Sequence, residues 1–248
     1  MKNFKELIND ENWVRENFTQ TSTRTYKRNS VELGFYGKQL SIITIDGLNI
    51  DDPDEYDGEF AVEPCRGYDD DIIYRLDDSQ AKGILSLAGI NILGFSGDGV
   101  PIYNHPEGHS HRPDLDSETI CKININGRDF VKETVNLGRS IGYDHLVKTH
   151  YGDEIVFHQR GNRPYKSRMV LNRDATQTEN VTIIICKCGK EDGELSGKYA
   201  LVTLFEGEPG MPEPYGFHKD DDGCIQFWKH HALVPTEKEL AEIMIEED

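Results

Sequence analysis

Positive charge is concentrated in one segment of the chain, Phe157–Arg173, which reads FHQRGNRPYKSRMVLNR. The segment contains no acidic residue, although the chain as a whole has a formal net charge of -18. Its cations are Arg160, Arg163, Lys166, Arg168 and Arg173. Self-repulsion in an acidic protein gives no reason to cluster cations. Two interpretations follow: a site for an anion such as a phosphodiester, or a basic hairpin that pairs with the chain's own acidic loops.

The spacing of these residues predicts how a sheet would present them. Side chains alternate across a strand, so His158 and Arg160 share one face of their run, and Lys166 and Arg168 share one face of the next. If the intervening GNRPY is the turn, we expect the histidine and several guanidinium groups to converge on one volume. Arginine suits a phosphate there, because its planar fork pairs with two phosphate oxygens at once.

The order of motifs from Tyr143 to Pro214 resembles a known protein class. This region contains DHLVKTHYGDEIVFHQRGNRPYKSRMVLNR, followed later by YALVTLFEGEPGMPEP. It is similar to the compact endoribonuclease toxins of the barnase, EndoU, colicin and RelE kind, which have a helix packed on an antiparallel sheet. The resemblance implies metal-independent RNA cleavage, in which the ribose 2′-hydroxyl attacks the adjacent phosphate.

The same resemblance implies a role for each candidate site residue. His150 or His158 would move the proton, since a histidine titrates near neutral pH. Thr203 would be the late hydroxyl that contacts the phosphate. Stabilisation of the charged phosphorane would fall to Arg160, Arg163 and Arg168, with Arg163 and Lys166 binding phosphate.

A second group of possible ligands lies in the segment NHPEGHSHRPDLD. Imidazole and carboxylate groups at these spacings can bind zinc, iron or manganese. The candidate ligands are His105, His109, His111, Asp114 and Asp116. Pro106 and Pro113 favour a polar loop, so we expect no metal and no cofactor. Cys186 and Cys188 have the spacing of half a zinc site, but no second cysteine pair completes it.

The elements predicted for the first half form a small α+β unit. Helical spacing predicts a helix within residues 2–18, and the polar residues 19–30 predict a loop. Alternating β-branched residues predict strand over 31–48, FAVEP at 60–64 predicts a short strand, and 78–92 predicts a helix running into a strand. The Gly-, Pro- and His-rich residues 94–116 predict a linker, so we divide the chain into domains 1–115 and 116–248.

The second half is predicted to be an antiparallel sheet with a packed helix, which makes the whole chain α+β. Asn126-Gly127 predicts a hairpin turn, and residues 136–150 predict a short helix. Four apolar runs then predict strands of that sheet: 152–160, 167–173, 180–189 and 198–207.

Composition limits the possible functions. No apolar run approaches the roughly 20 residues of a membrane span, and no signal peptide is recognisable, so we expect a soluble cytoplasmic protein with no membrane partner. Acidity argues against nucleic-acid binding over the whole surface but permits a local basic cleft. The leading hypothesis is a metal-independent domain that cleaves or binds RNA. Its alternatives are a non-enzymatic acidic protein that binds a protein partner, such as an inhibitor or a phage or defence accessory, and a metal-dependent enzyme using His105, His109 and His111.

Overall fold

The computed structural model describes residues 3–64 and 72–246 of the chain. It contains helices and antiparallel or mixed sheets, which confirms the α+β class. Cys65 and the acidic run Asp69–Asp71 lie outside the described residues. Among the helices in the described ranges, none is long and apolar enough to cross a lipid bilayer.

The chain forms two compact units that are discontinuous in sequence. Unit 1 comprises residues 1–106, 124–127 and 187–200, and unit 2 comprises residues 107–123, 128–186 and 201–248. The chain therefore passes from one unit to the other several times. The predicted domains 1–115 and 116–248 would be joined at one point only. That division stays a prediction about independent domains.

Unit 1 contains a group of helices and a five-stranded sheet in the order β1-β2-β3-β4-β5, with every neighbouring pair antiparallel. The helices are α1 (Phe4–Ile8), α2 (Glu11–Asn17), α3 (Ile72–Arg75) and α4 (Asp78–Leu87). The strands that begin in this unit before residue 106 are β1 (Thr19–Ser22), β2 (Thr25–Arg28), β3 (Val31–Tyr36), β4 (Gln39–Ile45), β5 (Leu48–Asn49), β6 (Ile92–Phe95) and β7 (Pro101–Ser110). Apolar side chains of β3, β4, α1 and α4 belong to one core.

Several predictions for unit 1 are confirmed and three are wrong. The helical segment near the N-terminus is present as α1 and α2, and the strands over 31–48 and the α4–β6 pair are as predicted. The loop predicted for 19–30 is the β1–β2 hairpin, in which Arg24 has a φ of 61°. FAVEP is not a strand, and the linker predicted for 94–116 contains β7, whose Ile102 and Tyr103 are buried in pairing with β6.

The remaining α-helices and strands lie wholly or mostly in unit 2. The helices are α5 (Asp116–Ile120), α6 (Asp222–His230) and α7 (Glu237–Glu246). The strands are β8 (Phe130–Asn136), β9 (Gly142–Asp144), β10 (Leu146–Lys148), β11 (Ile155–Gln159), β12 (Lys166–Val170), β13 (Thr176–Thr178), β14 (Asn180–Lys187), β15 (Tyr199–Glu206) and β16 (His231–Leu233). One sheet has the order β10-β16-β12-β11, and β8, β14 and β15 are neighbours in another. A small apolar core under the first sheet consists of Val147, Val170, Ala232 and Val234.

The four apolar runs predicted for unit 2 are strands, but they belong to two sheets. The runs 152–160 and 167–173 contain β11 and β12, whereas 180–189 and 198–207 contain β14 and β15. The helix predicted over 136–150 is wrong, because its residues pair as β9 and β10. Asn126 and Gly127 have φ of 50° and 71°, which confirms the turn, but the residues before it are not a strand.

Candidate functional site

The register of β11 and β12 decides which side chains of the basic segment lie together. Gln159 pairs with Lys166, His158 with Ser167, and Phe157 with Arg168. Paired residues of antiparallel strands point to the same face, so Lys166 and Arg168 share a face with Phe157. His158 points to the opposite face. The expected convergence of His158 with Arg168 is therefore wrong, because the loop is one residue longer than GNRPY and a one-residue shift reverses the face.

The Lys166 face opens into a cleft of about 420 Å³, which we call the basic aromatic cleft. This volume lies within the range of about 300–1,000 Å³ that is typical of ligand sites. The cleft is lined by the cations Lys166, Arg168 and Lys229, the carboxylate of Glu213, and the apolar residues Ile155, Phe157, Tyr165, Pro214, Tyr215, Ile225 and Trp228. Three cations against one carboxylate give it a positive charge within a chain of formal charge -18.

Aromatic side chains form much of the wall. The rings of Tyr165 and Tyr215 are stacked, with centroids 4.6 Å apart and an interplanar angle of 26°. The Nε1–H of Trp228 donates to the carbonyl oxygens of Met211 and Pro212 at 2.9 and 3.0 Å, which fixes the indole. Phe157 is 62% exposed, so its ring is accessible to a ligand.

Arg168 is fixed at the edge of the cleft by the end of α6. Its Nη1 donates to the carbonyl oxygens of Trp228 and Lys229, both at 2.6 Å. Carbonyl groups in the last turn of a helix lack helical hydrogen-bond partners, and the guanidinium supplies the missing donors. Its positive charge also interacts favourably with the negative end of the helix dipole. A guanidinium has five N–H donors. Those on Nη2 and Nε make no hydrogen bond within the described part of the chain and remain for an anion.

The other arginines of the basic segment are held by acidic residues. Arg160 Nε donates to Glu239 Oε1 at 2.7 Å, and Arg163 Nη1 donates to Glu213 Oε1 at 2.9 Å. Arg173 Nη1 lies 3.5 Å from Asp153 Oδ2. For these three arginines the contacts match the interpretation in which a basic hairpin pairs with the chain's own acids.

Glu239, the partner of Arg160, is itself largely enclosed, with 15% of its side chain exposed. Burial opposes its ionisation, but hydrogen bonds from Arg160 and from Thr236 outweigh that effect and lower the pKa of Glu239. The carboxylate is therefore ionised over a wider pH range than that of a free glutamate, and it attaches α7 to the loop after β11.

Neither predicted catalytic histidine lines the basic aromatic cleft. His150 is exposed, and its backbone N–H donates to Asp153 Oδ2 at 2.7 Å. His158 is 4% exposed, with its Nε2 3.6 Å from Glu242 Oε2 of α7. Thr203 is half-buried in β15 and lines neither this cleft nor the one beside it. The structure thus brings together Lys166 and Arg168 from the predicted site, and it separates them from His150, His158 and Thr203.

A second cleft of about 580 Å³ contains Arg160 and Arg163. Its charged walls also include the carboxylates of Asp144, Glu206, Glu208 and Glu213, which outnumber the two guanidinium groups. This balance disfavours an anion. His145 lies here, and its Nδ1 donates to the carbonyl oxygen of Val234 at 2.9 Å, because a carbonyl can only accept. Sequence reasoning missed His145, which no motif marks.

Among the described residues, His105, His109 and His111 do not come together as one set of metal ligands. His109 and His111 contact each other edge to face, with ring centroids 4.9 Å apart. Within the described residues, two groups of three could hold a metal, namely His105, Cys188 and Asp192, and His218, Asp221 and Cys224. Neither group includes His109 or His111, so the three histidines of the metalloenzyme hypothesis are not brought together as one ligand set.

Comparison of the chain with protein-family models, with curated proteins and with solved structures finds no match. The resemblance to ribonuclease toxins therefore stays a prediction, and any function must be argued from the clefts themselves.

Proposed function

We propose that unit 2 binds single-stranded RNA in the basic aromatic cleft. The observation that carries this proposal is the joint presence of Lys166, Arg168 and Lys229 with four aromatic side chains around one opening. Proteins that bind single strands combine cations for the backbone with rings on which bases stack, and each stacked base contributes about 1–3 kcal/mol.

The arrangement of donors supports a phosphate contact. Arg168 has one nitrogen fixed by helix carbonyls and others available, so its guanidinium is already ordered before a ligand arrives. Pre-ordering reduces the entropy that binding must overcome. Lys166 is exposed on the same face and adds a mobile cation.

The overall acidity of the chain is compatible with this site at physiological salt. Electrostatic interactions between exposed charges are screened over about 8 Å under those conditions. Distant acidic residues therefore repel an oligonucleotide weakly, whereas the cations of the cleft touch its phosphates. The proposal is accordingly for a short stretch of RNA.

Binding is better supported than cleavage. Proton transfer requires a group within about 3 Å of the reacting hydroxyl, and His150 and His158 are not among the residues that line this cleft. RNA cleavage by these histidines stays a prediction, as does a protein partner for the acidic surface.

The proposal is tested with Lys166→Glu, measured by fluorescence anisotropy of a short labelled RNA in EDTA. We expect the affinity to fall about tenfold or more, because a cation that neutralises phosphate is replaced by a charge that repels it. The slope of log affinity against log salt should decrease by about 0.7 for each phosphate that the variant no longer neutralises.

Lys132→Glu is the matched control, because Lys132 is exposed on β8 of the same unit and does not line the cleft. Equal affinities for the wild type, Lys166→Glu and Lys132→Glu would refute the proposal and favour the acidic interaction protein. Electrophoresis of the RNA after each titration shows whether it is intact, which separates binding from cleavage.

A further inference from the structure

Three potential metal ligands from two distant parts of the sequence meet in unit 1. His105 lies in β7, Cys188 follows β14, and Asp192 lies in a 3₁₀ turn at Lys190–Leu195. One ligand atom from each lies within 4.8 Å of the others, and His105 Nε2 is 3.4 Å from Asp192 Oδ1.

The separation between His105 Nε2 and Asp192 Oδ1 suits zinc. Bonds of about 2.0–2.3 Å in tetrahedral geometry place neighbouring ligand atoms roughly 3.3–3.8 Å apart. The 3.4 Å between the imidazole nitrogen and the carboxylate oxygen falls in that range. Three protein ligands would occupy three corners of a tetrahedron and leave the fourth to water or a substrate atom, as in catalytic zinc sites.

The loop that carries two of the ligands is closed by backbone hydrogen bonds. Cys188 N donates to Lys198 O at 2.8 Å, and Gly197 N donates to Cys188 O at 2.9 Å. Within this loop, Gly189 N donates to Asp192 Oδ2 at 2.6 Å. That bond leaves Oδ1 directed at His105. A ligand whose second oxygen is held in this way keeps its orientation, which metal affinity depends on.

The donor set selects the class of metal. A thiolate and an imidazole favour zinc over magnesium and calcium, which prefer oxygen ligands only. Cys188 is 5% exposed, whereas the side chains of His105 and Asp192 are 17% and 23% exposed. The sulfur is thus shielded from water, while the other two ligands keep a route by which an ion can enter.

We propose that His105, Cys188 and Asp192 bind a zinc ion with one open coordination position. This proposal differs from the sequence-based expectation of no metal. It also changes the partners of His105, which are Cys188 and Asp192 rather than His109 and His111. In the competing group, Asp221 Oδ1 accepts the backbone N–H of Cys224 at 3.1 Å as a helix cap, so that oxygen already has a structural role.

The test uses the full chain, purified without an affinity tag and loaded with Zn²⁺ or Co²⁺. We expect stoichiometric zinc by elemental analysis and, with Co²⁺, the absorption bands of a tetrahedral centre with a thiolate ligand. His105→Ala and Asp192→Asn should each weaken Zn²⁺ binding by roughly a hundredfold or more, since even outer-shell changes cost tenfold to a hundredfold. Cys188→Ser should remove the thiolate–Co²⁺ band.

Cys188 lies in the core, so circular dichroism must first show that Cys188→Ser is folded; if it is not, the partly exposed Asp192 provides the deciding variant. His109→Ala and His218→Ala are the controls and should retain the metal. Absence of stoichiometric metal in the loaded wild type would overturn the proposal. Loss of metal in His218→Ala with retention in His105→Ala would assign it to the other group.

Discussion

Individual cations of the basic segment have different partners, and those partners decide what each can bind. Arg160 and Arg163 are held by Glu239 and Glu213, whereas Lys166 makes no ion pair within the described residues. A ligand that recruited Arg160 would first have to displace a carboxylate that is itself half-buried. Lys166 requires no such exchange, which is why it is the first residue to test.

The contact between Arg160 and Glu239 makes a prediction about stability and pH. Glu239→Gln removes the charge that Arg160 pairs with, so we expect the free energy of unfolding at pH 7 to fall by about 1–2 kcal/mol. Because the pKa of Glu239 is lowered in the folded state, this stabilisation is present above the ordinary glutamate pKa of 4.5 and is lost as the pH falls through the folded value. The difference between variant and wild type should shrink in acid. Denaturant melts at several pH values measure it.

Glu237→Gln is the control for that measurement, because Glu237 is exposed on the same helix. A difference for Glu239→Gln that is independent of pH, or an equal loss in Glu237→Gln, would contradict the account.

At the scale of elements, helix α6 supplies one wall of the basic aromatic cleft. Ile225, Trp228 and Lys229 all come from this helix, and its last carbonyls fix Arg168. Asp221 precedes the helix as its N-cap: its side chain accepts the backbone N–H of Cys224 at 3.1 Å, and this hydrogen bond lowers the pKa of Asp221. Cap and cleft are therefore coupled through one short helix.

Removal of this cap should affect both stability and binding. We expect Asp221→Ala to lower the melting temperature by about 2–4 °C, a loss typical of a helix cap in a chain of this size. RNA affinity should fall as well, because a less stable α6 holds the carbonyl groups that bind Arg168 less firmly. Asp220→Ala is the control, since the neighbouring Asp220 side chain is 87% exposed and is not the cap of this helix. Identical melting curves for the two variants would refute the role of the cap.

Sequence patterns predicted elements well where alternation was regular and poorly where pairing decided the outcome. The strands β3 and β4 could be recognised from their alternating β-branched residues, and β11 and β14 from their apolar runs. Residues 136–150 have an ambiguous pattern, and only their partners in β13 and β16 make them strands. The candidate site was harder to predict than the strands. One extra residue in the loop between β11 and β12 reverses which side chains face the cleft, and no local sequence pattern indicates the length of that loop.

At the scale of the whole molecule, charge limits the length of RNA that can be bound. The chain has a formal charge of -18 although the basic aromatic cleft is positive, so the remainder is more acidic still. We therefore expect affinity to level off once an oligonucleotide fills the cleft. Extending it from about 4 to about 12 nucleotides should improve binding by less than about threefold, because carboxylates outnumber cations in the second cleft and added phosphates therefore release few counterions.

The same anisotropy assay with a series of oligonucleotide lengths measures this limit. A steady gain of tenfold or more over that series would indicate a longer basic path and would contradict a single local site.

The three-part make-up of unit 1 has a consequence for biosynthesis. Ribosomes release a chain from its N-terminus, and unit 1 needs residues 187–200 as well as residues 1–106. Its early sheet can pair as it emerges, but the segment with Cys188 and Ala200, both part of its core, arrives only after most of unit 2 has been made. Unit 1 therefore begins to fold first but cannot complete its core until most of unit 2 has been synthesised. A chain arrested near residue 115 would expose this incomplete core to chaperones and proteases.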